Sequence, residues 1–257
     1  MKVVIFAGGL GSRLQEETVK RPKPLVAIGK KPIIWHIMKI YSNYGFNNFI
    51  ICLGYKGKMI KEYFQNYNKK YSDVHIILNN KKKFAVHPDS WNVNLINTGI
   101  KTQTGGRLRK IKKLLKRDKV FSFTYGDGLA DININKLINT HILNKKICTV
   151  TAVHPPARFG VLEIDNKLVR SFKEKKVLKS WINGGFFVAS PKIINYIKND
   201  LMPWEKSPME KLVFEKNMAA YKHFGFWQCM DTLRDKYYLE QLWRKGNAPW
   251  KVWKNKF

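Results

Sequence analysis

A mostly parallel α/β sheet with helices on both faces is the fold this sequence predicts. Short apolar runs alternate with helix-spaced apolar patterns through roughly the first 153 of 257 positions. Glycine-containing breaks follow the first and the fourth of those runs, and both breaks fall at carboxyl ends, where ligands gather in sheets of this kind.

Residues 2–7 are an unbroken apolar run after Lys2, as expected of a strand buried on both faces, and the run ends in Gly8-Gly9. Pro32, a good first-turn residue, precedes apolar positions at helical spacing over 33–44. A second strand is expected at 48–53, a helix at 56–65 and a third strand at 74–78. Leu108, Ile111, Leu114 and Leu115 predict a helix over 106–116 with one basic face. A fourth strand at 120–125 is broken by Gly126-Asp127-Gly128, and a helix at 134–143 leads to a fifth strand at 147–153. Beyond that the texture changes, with short strands at 160–164, 168–172 and 182–188, helices at 191–197 and 232–245, and a strand at 218–224. The division expected is one domain, with an α/β core over 1–158 and a β-rich lobe plus C-terminal helical segment over 159–257.

Composition bounds the function classes. With 44% hydrophobic and 13% aromatic residues the chain has material for a packed core. No apolar stretch approaches the eighteen or so residues of a membrane span, and the apolar N-terminus is too short for a signal-peptide core, so an intracellular, cytoplasmic protein with no membrane partner is expected. Cys52, Cys148 and Cys229 lie far apart without metal or redox spacing and read as free thiols in a reducing compartment. His36 sits in an apolar helix beside Trp35 and reads as a packing residue, while His87, His154 and His223 share no ligand-like spacing. The net charge of +30 is spread along the chain, around 69–70, 81–83, 110–116 and 173–176, rather than gathered in one arm. Solvated surface lysine accounts for most of it, and no recognition motif points to nucleic acid.

Three motifs carry chemistry. Ala7-Gly8-Gly9-Leu10-Gly11-Ser12-Arg13-Leu14 follows the first strand; its glycines let backbone N–H groups approach an anion and Arg13 adds charge. Leu14 stands where a dinucleotide fingerprint has its third glycine, and the Gly-Lys-Ser/Thr ending of a P-loop is missing. An ordinary tight turn is the alternative. Lys23, held between Pro22 and Pro24, supplies a stiff basic residue downstream. Phe123-Thr124-Tyr125-Gly126-Asp127-Gly128 delivers a carboxylate at a strand tip, suited to magnesium and phosphate oxygens or to ordinary turn hydrogen bonds. Gly225-Phe226-Trp227-Gln228-Cys229-Met230-Asp231-Thr232 places Asp231 before the last helix, as a cap, a metal ligand, or both.

The glycine loop with Lys23-Pro24 resembles the sugar-phosphate nucleotidyltransferase superfamily. More narrowly, 32–38, 91–99, 104–108, 183–187, 225–235 and 248–251 resemble the glucose-1-phosphate cytidylyltransferases, and the likeness spans essentially the whole chain. That resemblance implies a Rossmann-like fold, transfer of a cytidylyl group from CTP to a sugar 1-phosphate, a homo-oligomer and use of Mg2+. It implies nucleotide contacts from Phe6, Ala7, Gly8, Gly9, Leu10, Gly11, Ser12, Arg13 and Lys23, and further nucleotide or phosphate contacts from Thr102, Arg107 and Gly126. Asp127 and Asp231 would hold the metal, Glu174 and Lys175 match a Glu-Lys-Pro segment that approaches the sugar phosphate, and Asn183 matches a residue near the sugar. Arg13, Lys23, Asp127 and Lys175 are the catalytic candidates. Ser12 replaces the usual threonine, and Lys176 stands where the Glu-Lys-Pro segment has proline. The alternatives are the same chemistry with another nucleotide, such as dTTP, or another sugar, and a nucleotide-binding module without turnover. Lys175→Ala is expected chiefly to raise the sugar phosphate concentration needed for half-maximal rate; an unchanged value in steady-state kinetics would detach the segment from the substrate.

Overall fold

The computed structural model describes residues 1–67, 73–77, 82–86, 89–155, 161–173 and 180–254. In chain order its elements are β1 (Lys2–Ala7), α1 (Gln15–Thr18), β2 (Ala27–Ile28), β3 (Lys31–Pro32), α2 (Ile33–Ser42), β4 (Asn48–Leu53), α3 (Gly57–Gln65), β5 (Asp73–Ile77), β6 (Lys82–Val86) and β7 (Asn92–Asn97). They continue with α4 (Thr104–Lys110), α5 (Lys112–Leu115), β8 (Phe121–Tyr125), β9 (Gly128–Ala130), α6 (Ile134–Asn144), β10 (Cys148–Val153), β11 (Val161–Asp165), β12 (Leu168–Lys173), β13 (Ile182–Ala189), α7 (Ser207–Phe214), β14 (Met218–Lys222), β15 (Trp227–Cys229) and α8 (Leu233–Arg244).

Seven strands form one sheet in the order β14-β10-β13-β8-β1-β4-β7. All adjacent pairs are parallel except the two made by β13. Side chains alternate across the sheet at a period of two, and both faces are covered. Val3 and Ile5 pack into the layer that holds α2 and the C-terminal tail, and Val4 and Phe6 into the layer with Leu108, Phe123, Phe187 and Trp204. Double burial is why β1 and β4 read as continuous apolar runs, and both strands occupy the residues expected.

The third strand of the sheet is not at 74–78. Residues Asp73–Ile77 pair with Lys82–Val86 in a separate two-stranded sheet, Leu78 lies outside the described residues, and the sheet's edge position belongs to β7. Its sequence Asn-Val-Asn-Leu-Ile-Asn carries residues depleted in strands, tolerated where one face of an edge strand meets water. The strands expected in an appended β-rich lobe also divide. β13 and β14 pair into the central sheet, while β11 and β12 form a sheet of their own; Gly160, the expected start of β11, is outside the described residues. The helix expected over 106–116 is two, α4 and α5, and 191–197 holds a 3-10 helix.

The C-terminal aromatic segment folds back on its own chain. Trp243, Trp250 and Trp253 ring His36, whose ring nitrogens meet the Ile28 carbonyl at 2.9 Å and the Trp250 indole N–H at 3.3 Å. Burial pushes the His36 imidazole down to about 4, so it stays neutral, as a packing residue should. Phe257 is outside the described residues. Among the described residues, no helix is long and apolar enough to cross a membrane.

One close approach matters for the site. The 200–204 loop supplies backbone acceptors to the first turn of α4, with Gln103 N–H on Asp200 O at 3.0 Å and Gly106 N–H on Met202 O at 3.2 Å. A Cβ on Gly106 would stand 2.1 Å from the Asp200 carbonyl oxygen, which is backbone and has no rotamer to escape into. Gly106→Ala would gain about 1 kcal/mol of helix propensity and lose about 1–3 kcal/mol to overpacking. The clash is expected to win, lowering the melting temperature by roughly 2–6 °C; a thermal or urea midpoint at or above wild type would refute this packing.

Candidate active site

The cleft is built on the carboxyl ends of β1, β4, β7 and β8. After β1 the chain turns through the glycine loop into a 3-10 turn at Ser12–Leu14 and then α1. The loop is fixed from beneath by Arg107 of α4. Its buried guanidinium donates to Gly8 O at 2.9 Å, Leu53 O at 3.0 Å, Gly99 O at 3.2 Å and Thr98 Oγ1 at 2.5 Å. Gly8 admits this approach, since a Cβ there would lie 2.1 Å from Nη1. Arg107 thereby ties the ends of β1, β4 and β7 together, and burial draws its pKa below the ordinary arginine value. Thr102 is buried beside it, donating to Thr98 O at 2.6 Å and accepting from Lys110 Nζ at 3.2 Å.

The acidic pair is assembled by a three-residue ladder. β9 and β15 pair antiparallel with Gly128 opposite Cys229, and Met230 N–H donates to Asp127 O at 2.9 Å. This pairing brings together two carboxylates a hundred positions apart. Lys23, in the 3-10 turn Lys23–Leu25 after an extended Pro22, reaches between them. Its ammonium lies 2.6 Å from Asp127 Oδ2 and 2.6 Å from Asp231 Oδ1, while Arg13 holds Asp231 Oδ2 at 2.8 Å.

The geometry bears on the alternatives left open for these aspartates. Asp127 turns its carboxylate to Lys23. Asp231 does not cap the last helix: Thr232 and Asp235 form a reciprocal capping box instead. Burial pulls the Lys23 ammonium down, but the charges and hydrogen bonds of Asp127 and Asp231 outweigh it and raise its pKa. Burial pushes Asp231 up, and Lys23 and Arg13 outweigh that, leaving it below the usual carboxylate range.

These groups line a cavity of about 560 Å3. Of the residues expected from the sequence, Phe6, Ala7, Gly9, Gly11, Ser12, Arg13, Lys23, Thr102, Arg107, Gly126, Asp127, Asn183 and Asp231 all face it. Gly8 contributes backbone beneath the loop, and Leu10 is exposed outside the lining. Glu174, Lys175 and Lys176 lie outside the described residues.

Asn183, at the start of β13, donates from Nδ2 to the Tyr125 hydroxyl at 3.1 Å and accepts from Gly185 N–H at 2.8 Å. Sequence reasoning missed Tyr125, Thr104, Glu205 and Trp227 as cleft residues. Tyr125 precedes Gly126-Asp127 in the same motif; burial, followed by the charge of Glu205, raises its pKa. Glu205 accepts from Thr104 Oγ1 at 2.7 Å, and Trp227 donates to Gly184 O at 2.7 Å. Nothing in the sequence around Glu205 marks it, because its place depends on the 200–204 loop wrapping α4.

The acidic pair fits a divalent cation. Two carboxylates already converge on one cationic point, and the described residues hold no group of three acidic, histidine or cysteine ligands. Divalent ions that work on phosphates take one or two carboxylates, with waters and substrate phosphates completing the shell.

Comparison with known proteins gives the family of the chain. The model of the nucleotidyl transferase family matches residues 2–235. The glucose-1-phosphate cytidylyltransferase of Salmonella typhi is 53% identical over 98% of this chain and 100% of its own length. The probable glucose-1-phosphate cytidylyltransferase of Bacillus subtilis is 41% identical over 98% and 100% respectively. Among solved structures, HddC from Yersinia pseudotuberculosis superposes with a TM-score of 0.68 at 23% identity, covering 94% of this chain and 99% of its own. A putative glucose-1-phosphate thymidylyltransferase from Bacillus anthracis gives 0.67 at 18% identity, covering 100% of this chain and 98% of its own. At those identities the two structures speak to the fold alone. A match from the first strand to the last helix, with half of all positions shared with full-length relatives, places this chain in the nucleotidyl transferase family, among the glucose-1-phosphate cytidylyltransferases.

Proposed function

We propose that this chain transfers the cytidylyl group of CTP to α-D-glucose 1-phosphate, giving CDP-glucose and pyrophosphate. The observation that carries the reading is the 53% identity, end to end, with the Salmonella typhi glucose-1-phosphate cytidylyltransferase. The cleft supports it, because a glycine loop, two cations and two carboxylates meet at strand ends.

An oxygen of the sugar phosphate attacks the α-phosphorus of CTP; that P–O bond forms while the bond to pyrophosphate breaks, and pyrophosphate leaves with the electron pair. A phosphate monoester has a second pKa of about 6, so the attacking oxygen is largely ionised at neutral pH and needs no general base. The barrier is then mainly alignment and charge crowding between two polyanions. Ser12 and the N–H groups of the glycine loop receive the triphosphate, Arg13 and Lys23 stabilise the departing pyrophosphate, and Lys175 steers the incoming sugar phosphate. Thr102, Arg107 and Gly126 complete the nucleotide side; Glu174 and Asn183 orient the sugar. Mg2+ held by Asp127 and Asp231 would neutralise phosphate oxygens. The reaction is assigned to the cytoplasm, where Cys52, Cys148 and Cys229 stay unbridged.

A panel of CTP, dTTP, UTP and GTP against several sugar 1-phosphates, read by pyrophosphate release, is expected to single out CTP with glucose 1-phosphate; a better donor than CTP would overturn the assignment. Asp127→Asn keeps the side chain's shape and loses its charge. Turnover is expected to fall by roughly 100-fold or more with the melting temperature little changed, and near-normal activity at saturating Mg2+ would remove Asp127 from the mechanism.

A further inference from the structure

We infer that Lys23 is a resident counter-ion which a divalent cation must displace, so that filling the acidic pair releases the ammonium toward the phosphates. The inference rests on reading Asp127 and Asp231 as the cation site. It goes beyond that reading by giving Lys23 two alternating partners, carboxylates before the cation enters and phosphate oxygens afterwards.

Three features carry it. First, Nζ sits 2.6 Å from one oxygen of each aspartate, at the point where the carboxylates converge. An ammonium and a divalent ion repel, and they cannot share that point. Second, Asp231 is held from both sides, by Lys23 on Oδ1 and by Arg13 on Oδ2, so a cation approaching the pair must compete with charges already in place. Third, the lysine backbone is locked apart from those carboxylates. Leu25 N–H on Pro22 O at 2.8 Å and Val26 N–H on Lys23 O at 3.0 Å hold the turn, and between turn and ammonium lies a four-carbon stem whose torsions are free to change once the carboxylates let go. The base of that stem stands beside the glycine loop, since a Cβ on Gly11 would lie 3.4 Å from Lys23 Cβ. Lys23 and the loop residues Gly9, Gly11 and Ser12 line the same cavity, so an ammonium leaving the carboxylates stays in the space the phosphates would enter.

The consequence is coupling between cation and nucleotide. Without phosphate, a cation that displaces Lys23 takes both carboxylate partners from the ammonium, and its binding is weakened by that loss. With phosphate present, the ammonium has a new partner and each ligand favours the other, as linkage requires.

The test is Mn2+ binding to the full chain without nucleotide, followed by electron paramagnetic resonance. Lys23→Met removes the competitor and is expected to tighten Mn2+ by about tenfold or more, the usual scale of such coupling. Asp127→Asn on either background is expected to weaken it. Equal or weaker Mn2+ binding in Lys23→Met overturns the inference. Because that variant leaves two facing carboxylates without a cation and can fold poorly, a second measurement uses the wild-type chain. Its 15N-lysine ammonium resonance from Lys23 is expected to shift as Mg2+ is added, and constancy across the range in which Mg2+ fills the site is the opposing result. Neither readout involves turnover. A chain that exchanges Lys23 for the cation and makes no CDP-glucose refutes the proposed reaction alone; one that makes CDP-glucose without the exchange refutes the exchange alone.

Discussion

The cleft depends on one ammonium. Asp127 and Asp231 flank the same end of a ladder only three residues long, and like charges about 4 Å apart repel by about 4 kcal/mol at an effective dielectric of about 20. Hydrogen bonds contribute about 1 kcal/mol each net, so the β9–β15 ladder is poorly matched to hold two bare carboxylates face to face. Lys23 turns that repulsion into two attractions and ties the turn after α1 to both strand ends. The opening glycine loop, the Gly126-Asp127 break and the Asp231 segment become one site through this contact.

A second constraint frees Asp231 for that role. The sequence Asp231-Thr232-Leu233-Arg234-Asp235 offers two acidic residues around one helix start, and the helix needs one. Thr232 is the N-cap, and Asp235 completes the capping box from the third position of the helix. Its Oδ2 accepts from Thr232 N–H at 2.9 Å and from Asp231 N–H at 3.1 Å, while Oδ1 receives the Gln228 amide at 2.9 Å. The backbone of Asp231 is thus anchored by its neighbour's carboxylate and its own side chain faces the cleft. Asp231 was the expected cap, and the three-residue spacing from Thr232 to Asp235 that a capping box requires is the local signal against it.

What could be read in advance followed from how local the determining forces are. β1, β4 and α2 are continuous in pattern and buried along almost their whole length, and the last helix is bounded by a capping box, so their boundaries came within a residue or two. β7 escaped because an edge strand of alternating Asn and apolar residues satisfies no strong propensity, and β13 and β14 were misplaced because nothing local says which sheet a strand will join. In the site, motif residues such as Arg13, Lys23, Asp127 and Asp231 were legible singly. That Asp127 and Asp231 meet was implied by the family resemblance alone; the β9–β15 pairing that brings them together had no local signal. Arg107 was expected as a nucleotide contact, and its guanidinium ties together the carbonyls beneath the glycine loop. Glu205 was invisible altogether.

The bulk charge of +30 has little bearing on this chemistry. Among the described residues lining the cleft, the cations are Arg13, Lys23 and Arg107 and the anions are Asp127, Glu205 and Asp231, so the lining is formally neutral. Surface lysines separated from the cleft by more than about 8 Å are largely screened at physiological ionic strength. A neutral lining has no strong claim on a triphosphate. A divalent cation would give the cleft a net positive charge, and moving Lys23 off the carboxylates would direct part of that charge at the phosphates. Selectivity for the metal-bearing nucleotide then follows from the local charge balance, whatever the protein carries on its outer surface.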